Sequence, residues 1–212
     1  MSKVQIFLLR HGETYNNLHA LTQTNEDISL ADEGIMHLTE NLQQICEMLG
    51  KKQLAVFTSY QKRACQTAEI VLGAMAAQGI RPVVTMAIEP LHEVDFGQYA
   101  DQPEDTVIDG ASMADLRIAT IDFYKNNNSF SFPEGESMEQ VHERCQKVIK
   151  MLRSFKRTFE ESGEDTNILV VGHCRLFRHL LVEIGQWKAD DMFANKIQNA
   201  SLYEIDTNLI ID

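Results

Sequence analysis

Residues 4–14 read Val-Gln-Ile-Phe-Leu-Leu-Arg-His-Gly-Glu-Thr, and this stretch decides the fold of the chain. The apolar run at 4–7 has the length and the branched, aromatic composition of a buried β-strand. Gly12 supplies backbone freedom for a sharp turn, so Arg10 and His11 are expected at the strand's carboxyl end, where open α/β sheets bind ligands. An arginine clamp beside a nitrogen nucleophile predicts a phosphoryl group as the target. Taken alone, the pair also fits a surface cation beside a structural histidine.

Strand-like and helical patterns alternate along the rest of the chain. Short apolar runs predict strands, whereas apolar residues at helical spacing predict amphipathic helices. We therefore expect an α/β fold of three layers, in which helices cover both faces of a doubly wound, mostly parallel sheet of about five or six strands. Ser59 and Ser137 are expected to cap helices. Further strands are expected at 54–57, 82–88, 167–172 and 200–205, and helices at 35–49, 59–79, 111–125, 137–163 and 176–184.

Three further polar side chains follow the expected strands. Arg63 lies in the first turn of the helix that comes after the second strand, and His173 directly follows the strand at 167–172. Glu93 lies in the loop that leaves the third strand. Because the carboxyl ends of parallel strands meet at one edge of a sheet, we expect all three side chains beside the Arg-His pair. There Glu93 fits either an ion-pair partner of the arginines or a general acid near a leaving oxygen.

The length of 212 residues fits one domain with a sizeable core. We expect a single domain over residues 1–212, with a lid-like insertion at about 98–136. This insertion is polar and irregular apart from the expected helix at 111–125. Lids of this kind usually select the substrate, so we expect the insertion to cover the ligand crevice.

The acidic composition limits the classes of partner. A formal net charge of −12 argues against nucleic acid and against an anionic membrane surface. Apolar runs fall short of the roughly 18 residues of a membrane span, and residues 1–3 lead into a strand without the layout of a signal peptide. We therefore expect a cytoplasmic protein. The four cysteines form no Cys-x-x-Cys pair, which predicts reduced thiols rather than disulfides or a zinc site.

The polar residues at the expected strand exits belong to a series of short motifs. These are Arg10-His11-Gly12-Glu13-Thr14 with Asn17, Leu30 with Gly34, Thr58-Ser59 with Arg63-Ala64 and Gln66-Thr67-Ala68, Leu91 with Glu93 and Phe96-Gly97, Pro133-Glu134-Gly135-Glu136-Ser137, and Val171-Gly172-His173. In this order the motifs resemble the histidine phosphatase superfamily, in its phosphoglycerate mutase-like branch, across nearly the whole chain. The resemblance implies the fold expected above.

The resemblance also implies a role for each site residue. His11 would be the nucleophile that receives the phosphoryl group, and Glu93 would protonate the leaving alkoxide and later deprotonate the attacking water. His11 must present a lone pair, so its other ring nitrogen should donate to a fixed acceptor. Two guanidinium groups would supply the positive charge that phosphoryl transfer requires, so no metal and no cofactor are expected. The residues implied to hold the phosphoryl oxygens are Arg10, Arg63, His173 and Asn17.

The chain departs from the family pattern close to the implied site. Thr24 follows Gln23, where the family often has Gly. Around His173 the family usually has Ser and Gly, whereas this chain has Gly172 and Cys174. We expect Gln23, Thr24 and Cys174 to line the substrate.

These residues predict a metal-independent phosphatase that hydrolyses phosphomonoesters of small metabolites through a phosphohistidine intermediate. A phosphoglycerate mutase is one alternative, but residues 101–131 contain only two basic residues, Arg117 and Lys125, against six acidic ones. That balance disfavours a second bound phosphate. A catalytically weak phospho-ligand-binding or scaffold protein is the alternative from another class. The expected partner is a small phosphorylated substrate rather than nucleic acid or membrane, and a homodimer is left open.

Overall fold

Five β-strands form a mixed sheet in the described part of the chain. The computed structural model describes residues 3–23 and 27–210. The strands are β1 Val4–Arg10, β2 Gln53–Thr58, β3 Pro82–Ala87, β4 Thr166–Gly172 and β5 Leu202–Ile205. Their order is β3-β2-β4-β1-β5, and every neighbouring pair is parallel except β1 with β5. The predicted α/β class with a mostly parallel sheet is confirmed.

Helices cover both faces of this sheet. They are α1 Tyr15–Leu18, α2 Asp32–Leu49, α3 Lys62–Ala77, α4 Met113–Asn126, α5 Met138–Ser162 and α6 Cys174–Glu183. Side chains alternate between the faces of a strand, so neighbouring residues of β1 enter different cores. Ile6 and Leu8 pack with α5 and α6, whereas Phe7 and Leu9 pack with α2 and α3. The chain therefore has the predicted three-layer, doubly wound arrangement.

The helix ends confirm one predicted cap and correct the other. Ser137 accepts a hydrogen bond from the backbone of Gln140 and begins α5 through a capping box, as predicted. The prediction that Ser59 caps α3 is wrong, because this helix begins at Lys62 with Gln61 at its N-cap. The backbone N–H of Ser59 still donates to the Val171 carbonyl of β4, at 2.9 Å. Pairing with the sheet thus continues through Ser59 and delays the helix.

Most other elements begin and end within one or two residues of the predictions, but α2 begins at Asp32, three residues before its predicted start at 35. Helix α6 begins at Cys174 rather than Leu176, and β5 begins at Leu202 rather than Ala200. Helix α1, at Tyr15–Leu18, was not predicted. Four residues are too few to show helical periodicity, so a sequence pattern gives no signal for this single turn.

The strand register places three strand ends side by side. Arg10 of β1 pairs with Gly172 of β4, and Thr58 of β2 pairs with Val171 of β4. The backbone N–H of His11 then donates to the Gly172 carbonyl at 3.0 Å. Whatever follows β1, β2 and β4 in the sequence is therefore brought to one point above the sheet.

Gly12 serves close packing rather than an unusual backbone angle. Its φ lies outside the left-handed region, which corrects the expectation that the turn after β1 needs glycine for conformational freedom. A Cβ at Gly12 would instead lie 3.2 Å from the Gly34 carbonyl oxygen. At Gly34 a Cβ would lie 2.1 Å from the backbone oxygen of Glu13, a distance that real Cβ atoms do not adopt. The start of α2 thus rests directly on the turn that holds His11.

The two ends of residues 98–136, the segment predicted as a lid-like insertion, lie side by side. The N–H of Gln98 donates to the Pro133 carbonyl at 2.9 Å, and the N–H of Glu136 donates to the Asp95 carbonyl at 3.0 Å. Gly97 allows this contact, since a Cβ there would lie 2.0 Å from the Pro133 oxygen. Between these ends the segment carries α4. None of the described helices combines the length and the apolar character needed to cross a lipid bilayer.

Candidate active site

Two histidines and two arginines meet at the carboxyl ends of the central strands. Arg10 ends β1, His11 follows it, and His173 follows β4. The ring centroids of the two histidines lie 5.1 Å apart. Arg63 comes from the first turn of α3, and its side chain is fully buried, as are both histidines. The structure therefore brings together four of the residues that the sequence predicted for one site.

The ring of His11 is held in one orientation by the backbone. Its Nδ1 lies 2.7 Å from the carbonyl oxygen of Gly12. A carbonyl can only accept, so Nδ1 carries the proton and Nε2 carries a lone pair. Burial, reinforced by the positive charges of Arg63 and Arg10, holds the pKa of His11 well below its usual value of 6.5. The ring is therefore a neutral imidazole with an available nitrogen, as the sequence analysis expected.

His173 is a second neutral imidazole. Burial, followed by the charges of Arg63 and His11, lowers its pKa well below 6.5. Neither of its ring nitrogens forms a hydrogen bond with another described residue. A neutral imidazole has one N–H donor, and a buried donor without a partner is costly. A phosphoryl oxygen placed between the two rings would supply that partner.

The two arginines approach the histidines from different elements. Arg10 Nη1 donates to the Ile197 carbonyl at 2.8 Å, which leaves its other guanidinium nitrogens for a ligand. Arg63 is fully buried, and burial lowers its pKa while the negative charge of Glu93 raises it. Arginine stays protonated at neutral pH, so both groups offer positive charge to a phosphoryl group.

Asn17 is oriented by a residue that the sequence analysis missed. Its Oδ1 accepts from the backbone N–H of Thr14 at 3.1 Å, and the Asn199 side chain lies 3.4 Å from the same oxygen. The Asn199 amide also donates to the His11 carbonyl at 2.9 Å. With Oδ1 occupied, Asn17 presents its N–H groups as donors. Asn199 precedes the last strand in an irregular stretch, and no sequence signal distinguished it.

The carboxylate of Glu93 lies at the start of α6. Its Oε1 accepts from the backbone N–H groups of Val94 and Leu176, at 3.0 and 3.1 Å, and its Oε2 lies 3.3 Å from the N–H of Arg175. Helix N-termini stabilise negative groups in this way. Oε2 has the weaker contact, so it is the oxygen better placed to carry a proton toward a substrate. Gln61 fixes the backbone of Glu93 through a 2.9 Å hydrogen bond.

An internal ion pair fixes the loop that carries Glu93. The guanidinium of Arg144, on α5, binds both carboxylate oxygens of Glu136, at 2.9 and 2.6 Å. The same guanidinium donates to the His92 carbonyl at 2.6 Å, and Glu136 accepts from the N–H of Asp95 at 2.9 Å. Residues on both sides of Glu93 are thus tied to α5. Arg144 was not predicted from the sequence to support the site.

A cavity of about 290 Å³ lies next to these residues. The predicted residues that line it are Arg10, Asn17, Gln23, Glu93 and Cys174. Thr24, also predicted to line the substrate, lies outside the described residues. The Nε2 atom of His11 is buried and has no hydrogen-bond partner, and His11 is not among the residues that line the cavity. In the described ranges, no three His, Cys, Asp or Glu side chains are grouped as metal ligands would be.

The far part of the cavity contains arginines that the sequence analysis did not assign to the site. They are Arg117 of α4 and Arg175 and Arg178 of α6, which surround the ring of Phe193. Arg178 is held by the Met192 carbonyl at 2.6 Å and by the Cys174 sulfur at 3.3 Å. Two arginines three residues apart directly after the second histidine were the available signal, since this spacing puts them on one face of a helix.

Comparisons with known proteins show the family of the chain. Residues 6–208 match the sequence profile described as the histidine phosphatase superfamily (branch 1). The chain is 30% identical over 159 residues to fructose-2,6-bisphosphatase TIGAR B of Danio rerio, which covers 74% of this chain and 55% of the relative. It is 26% identical over 179 residues to phosphoglycerate mutase-like protein 4 of Arabidopsis thaliana, covering 83% of this chain and 69% of the relative.

A solved structure supports the fold over almost the same length. Phosphoserine phosphatase of Entamoeba histolytica superposes with a TM-score of 0.65 at 19% sequence identity, covering 95% of this chain and 89% of that one. The chain spans between 32% and 55% of the length of the first curated relatives, which are therefore longer proteins.

Proposed function

This chain belongs to branch 1 of the histidine phosphatase superfamily, whose members are phosphatases or mutases, and on that premise we propose that it hydrolyses phosphomonoesters of small metabolites through a phosphohistidine intermediate. The observation that carries the proposal is the ring of His11. The Gly12 carbonyl fixes its Nδ1 proton, and two arginines and a second neutral histidine converge beside its free Nε2.

The proposed reaction uses the side chains of this site in two steps. In the first, the Nε2 lone pair of His11 attacks phosphorus, the bond from phosphorus to the ester oxygen breaks, and Glu93 gives its proton to the leaving alkoxide. In the second, Glu93 takes a proton from water as the water oxygen attacks phosphorus, and the bond to Nε2 breaks. Inorganic phosphate leaves, and both side chains return to their starting states.

Charge stabilisation comes from groups that are already in place. The equatorial phosphoryl oxygens would receive hydrogen bonds from Arg10, Arg63 and His173, with Asn17 as a further donor. Fixed donors of this kind need little reorganisation when negative charge develops in the transition state. Since two guanidinium groups provide the positive charge, we propose a reaction that is independent of metal ions.

The test is to trap the intermediate. The protein is mixed with ³²P-labelled phosphomonoester in the presence of EDTA, quenched in alkali, and digested for peptide mapping. We expect an acid-labile, alkali-stable label on His11, release of inorganic phosphate, and no effect of the chelator. His11→Asn should lose both the label and turnover, while circular dichroism shows a retained fold.

Other outcomes would favour the alternatives. Transfer of the label to a second position of a phosphoglycerate, without phosphate release, would indicate a mutase. Tight binding of phosphomonoesters without label or turnover would indicate a binding protein. Label on Cys174 or on a serine would contradict His11 as the nucleophile.

A further inference from the structure

Three guanidinium groups surround one aromatic ring at the far end of the cavity. The Cζ atoms of Arg175, Arg178 and Arg117 lie 4.7, 5.4 and 6.0 Å from the ring centroid of Phe193. Stacking on an aromatic face attracts a cation, but it does not satisfy the N–H groups at the edge of the guanidinium plane. The ring therefore holds these arginines close together without neutralising them.

Arg175 is the member of this group whose guanidinium has no polar partner among the described residues. Its side chain is only 8% exposed, and its guanidinium forms neither a hydrogen bond nor an ion pair with any other described residue. Phe193 and Phe96 cover it, with its Cζ atom 4.7 and 5.4 Å from their centroids. Burial, followed by the charges of Arg117 and Arg178, lowers its pKa to about 10. Burying a charge without a partner is costly, so such a group points to an anion that binds there.

The carboxylates nearby do not balance these charges. Glu104 pairs with Arg117 at 2.5 Å. The carboxylate of Glu93 is engaged by three backbone N–H groups at the start of α6. Four arginines line the cavity, these three and Arg10, against two glutamates, so the cavity has excess positive charge although the whole chain carries a net charge of −12.

The arginine cluster is separate from the groups that hold the transferred phosphoryl group. The charges that act on His11 are those of Arg63 and Arg10, whereas those that act on Arg175 come chiefly from the other two arginines of the cluster. Arg10 and the arginine cluster border the same cavity of about 290 Å³, which is also lined by Glu93. This volume is near the lower limit of the roughly 300–1,000 Å³ usual for small-molecule sites, so one small molecule could contact both.

The charge balance of residues 101–131 alone gave a different expectation. That segment contributes Arg117 but is acidic overall, and it argued against a second bound phosphate. The structure adds Arg175 and Arg178 from α6, which lies outside the segment. The relevant charge is therefore that of the cavity rather than that of one stretch of sequence.

Resting on the proposed function, we propose that the substrate carries a second anionic group, either a carboxylate or a second phosphate, and that Arg175 binds it together with Arg117 and Arg178. The substrate class is then a small phosphomonoester that is anionic at both ends. Guanidinium groups suit either anion, since both accept paired hydrogen bonds from the same fork of donors.

The test compares three phosphomonoesters on one carbon skeleton. Glycerol 3-phosphate ends in a hydroxymethyl group, 3-phosphoglycerate ends in a carboxylate, and glycerol 1,3-bisphosphate ends in a second phosphate. Each is measured as a substrate, by kcat/KM for phosphate release, and as a competitive inhibitor of para-nitrophenyl phosphate hydrolysis. We expect kcat/KM for at least one of the two anionic compounds to exceed that for glycerol 3-phosphate by about ten- to a hundred-fold. This range corresponds to the free energy of a hydrogen bond to a charged group. The better of the two identifies the second group.

Variants then assign the preference to the cluster. Arg175→Gln removes the charge, and we expect the ratio of kcat/KM for the preferred anionic compound to that for glycerol 3-phosphate to fall about tenfold or more. Arg175→Lys, which retains the charge, should keep part of the ratio, and Arg117→Gln repeats the test on a separate helix. Arg157→Gln, on the exposed side of α5, is the matched control and should leave the ratio unchanged.

These measurements test the second anion site separately from the proposed phosphatase activity. Equal kcat/KM values and equal inhibition constants for the three compounds in the wild-type protein would overturn the second anion site. So would an unchanged ratio in Arg175→Gln and Arg117→Gln. In either case, a phosphohistidine on His11 would leave the phosphatase proposal standing. Preferential inhibition by the anionic compounds without any phosphohistidine would instead support the anion site and overturn the phosphatase.

Discussion

Burial at His11 has two effects that favour a nucleophile. It lowers the pKa of the ring, so the imidazole stays neutral, and it removes water that would compete for Nε2. The Gly12 carbonyl selects the tautomer. Glu93 has different surroundings. Backbone N–H groups of α6 donate to its carboxylate, and the longest of these contacts joins the Arg175 N–H to Oε2, at 3.3 Å. These surroundings suit the nucleophilic role that we propose for His11 and the proton-transfer role that we propose for Glu93.

Glu93→Gln tests the proton-transfer role proposed for this side chain. If Glu93 protonates the leaving group, the variant should hydrolyse alkyl phosphates about 10² to 10⁴-fold more slowly, because an alkoxide needs that proton. Para-nitrophenyl phosphate has an acidic leaving group and should lose far less. The measurement is the ratio of the two losses in single-turnover experiments, where transfer to His11 is observed directly. Equal losses for both substrates would show that Glu93 only positions other groups.

Among the elements, two helix starts position the chemistry. The start of α6 carries His173 at its N-cap and holds Glu93 through its first N–H groups. The start of α2 packs against the turn that follows β1, where Gly34 meets the backbone of Glu13. These contacts join the proposed nucleophile and the proposed acid to rigid helices rather than to loops. Such support is what keeps reacting groups in place.

The second prediction tests the contact between α2 and the β1 turn. In Gly34→Ala the new Cβ would lie 2.1 Å from the Glu13 oxygen, so α2 must move away from the turn that holds His11. We expect a loss of about 2–3 kcal/mol in the free energy of unfolding, as for other overpacked sites, together with reduced kcat. Urea unfolding and steady-state assays measure the two effects.

Gly73→Ala is the matched control for this change. Gly73 lies in the interior of α3, and a Cβ there would meet nothing within 4 Å. Replacing a helical glycine by alanine should raise the free energy of unfolding by about 0.5–1 kcal/mol and leave kcat unchanged. If the two variants behaved alike, the close approach at Gly34 would not be what fixes the turn.

Several basic and titratable groups lie in the interior of this acidic protein. His11, His173 and His179 are almost completely buried, and for each of them burial is the main cause of a pKa well below 6.5. His179 does not line the cavity, and its Nδ1 lies 2.8 Å from the hydroxyl of Tyr124. The folded protein therefore contains three histidines that resist protonation.

The third prediction follows from the sign of these shifts. Below about pH 6.5 the unfolded chain binds protons at these histidines and the folded protein does not, so the free energy of unfolding must fall as pH decreases. Each histidine contributes up to about 1.4 kcal/mol per pH unit. Urea unfolding between about pH 8 and about pH 5.5 measures the slope. His179→Asn should make it shallower, and an unchanged slope in that variant would contradict the prediction.

The architecture and the residues at the strand ends could be predicted from the sequence alone. Buried strands are nearly continuous apolar runs, so their ends are visible in the sequence, and Arg10, His11 and His173 follow such ends directly. Parallel pairing then requires these residues to meet. The capping box at Ser137 could also be read, because it depends on residues only three positions apart.

The other groups that join the site became visible only in the folded protein. Asn199, which is 188 residues away in the sequence, donates a hydrogen bond to the His11 carbonyl. Arg144 holds the loop that carries Glu93 through its ion pair with Glu136. The charge of the cavity likewise depends on α6 packing against Phe193, which places Arg175 beside arginines from two helices. Such contacts join residues distant in the chain, and no local pattern encodes them.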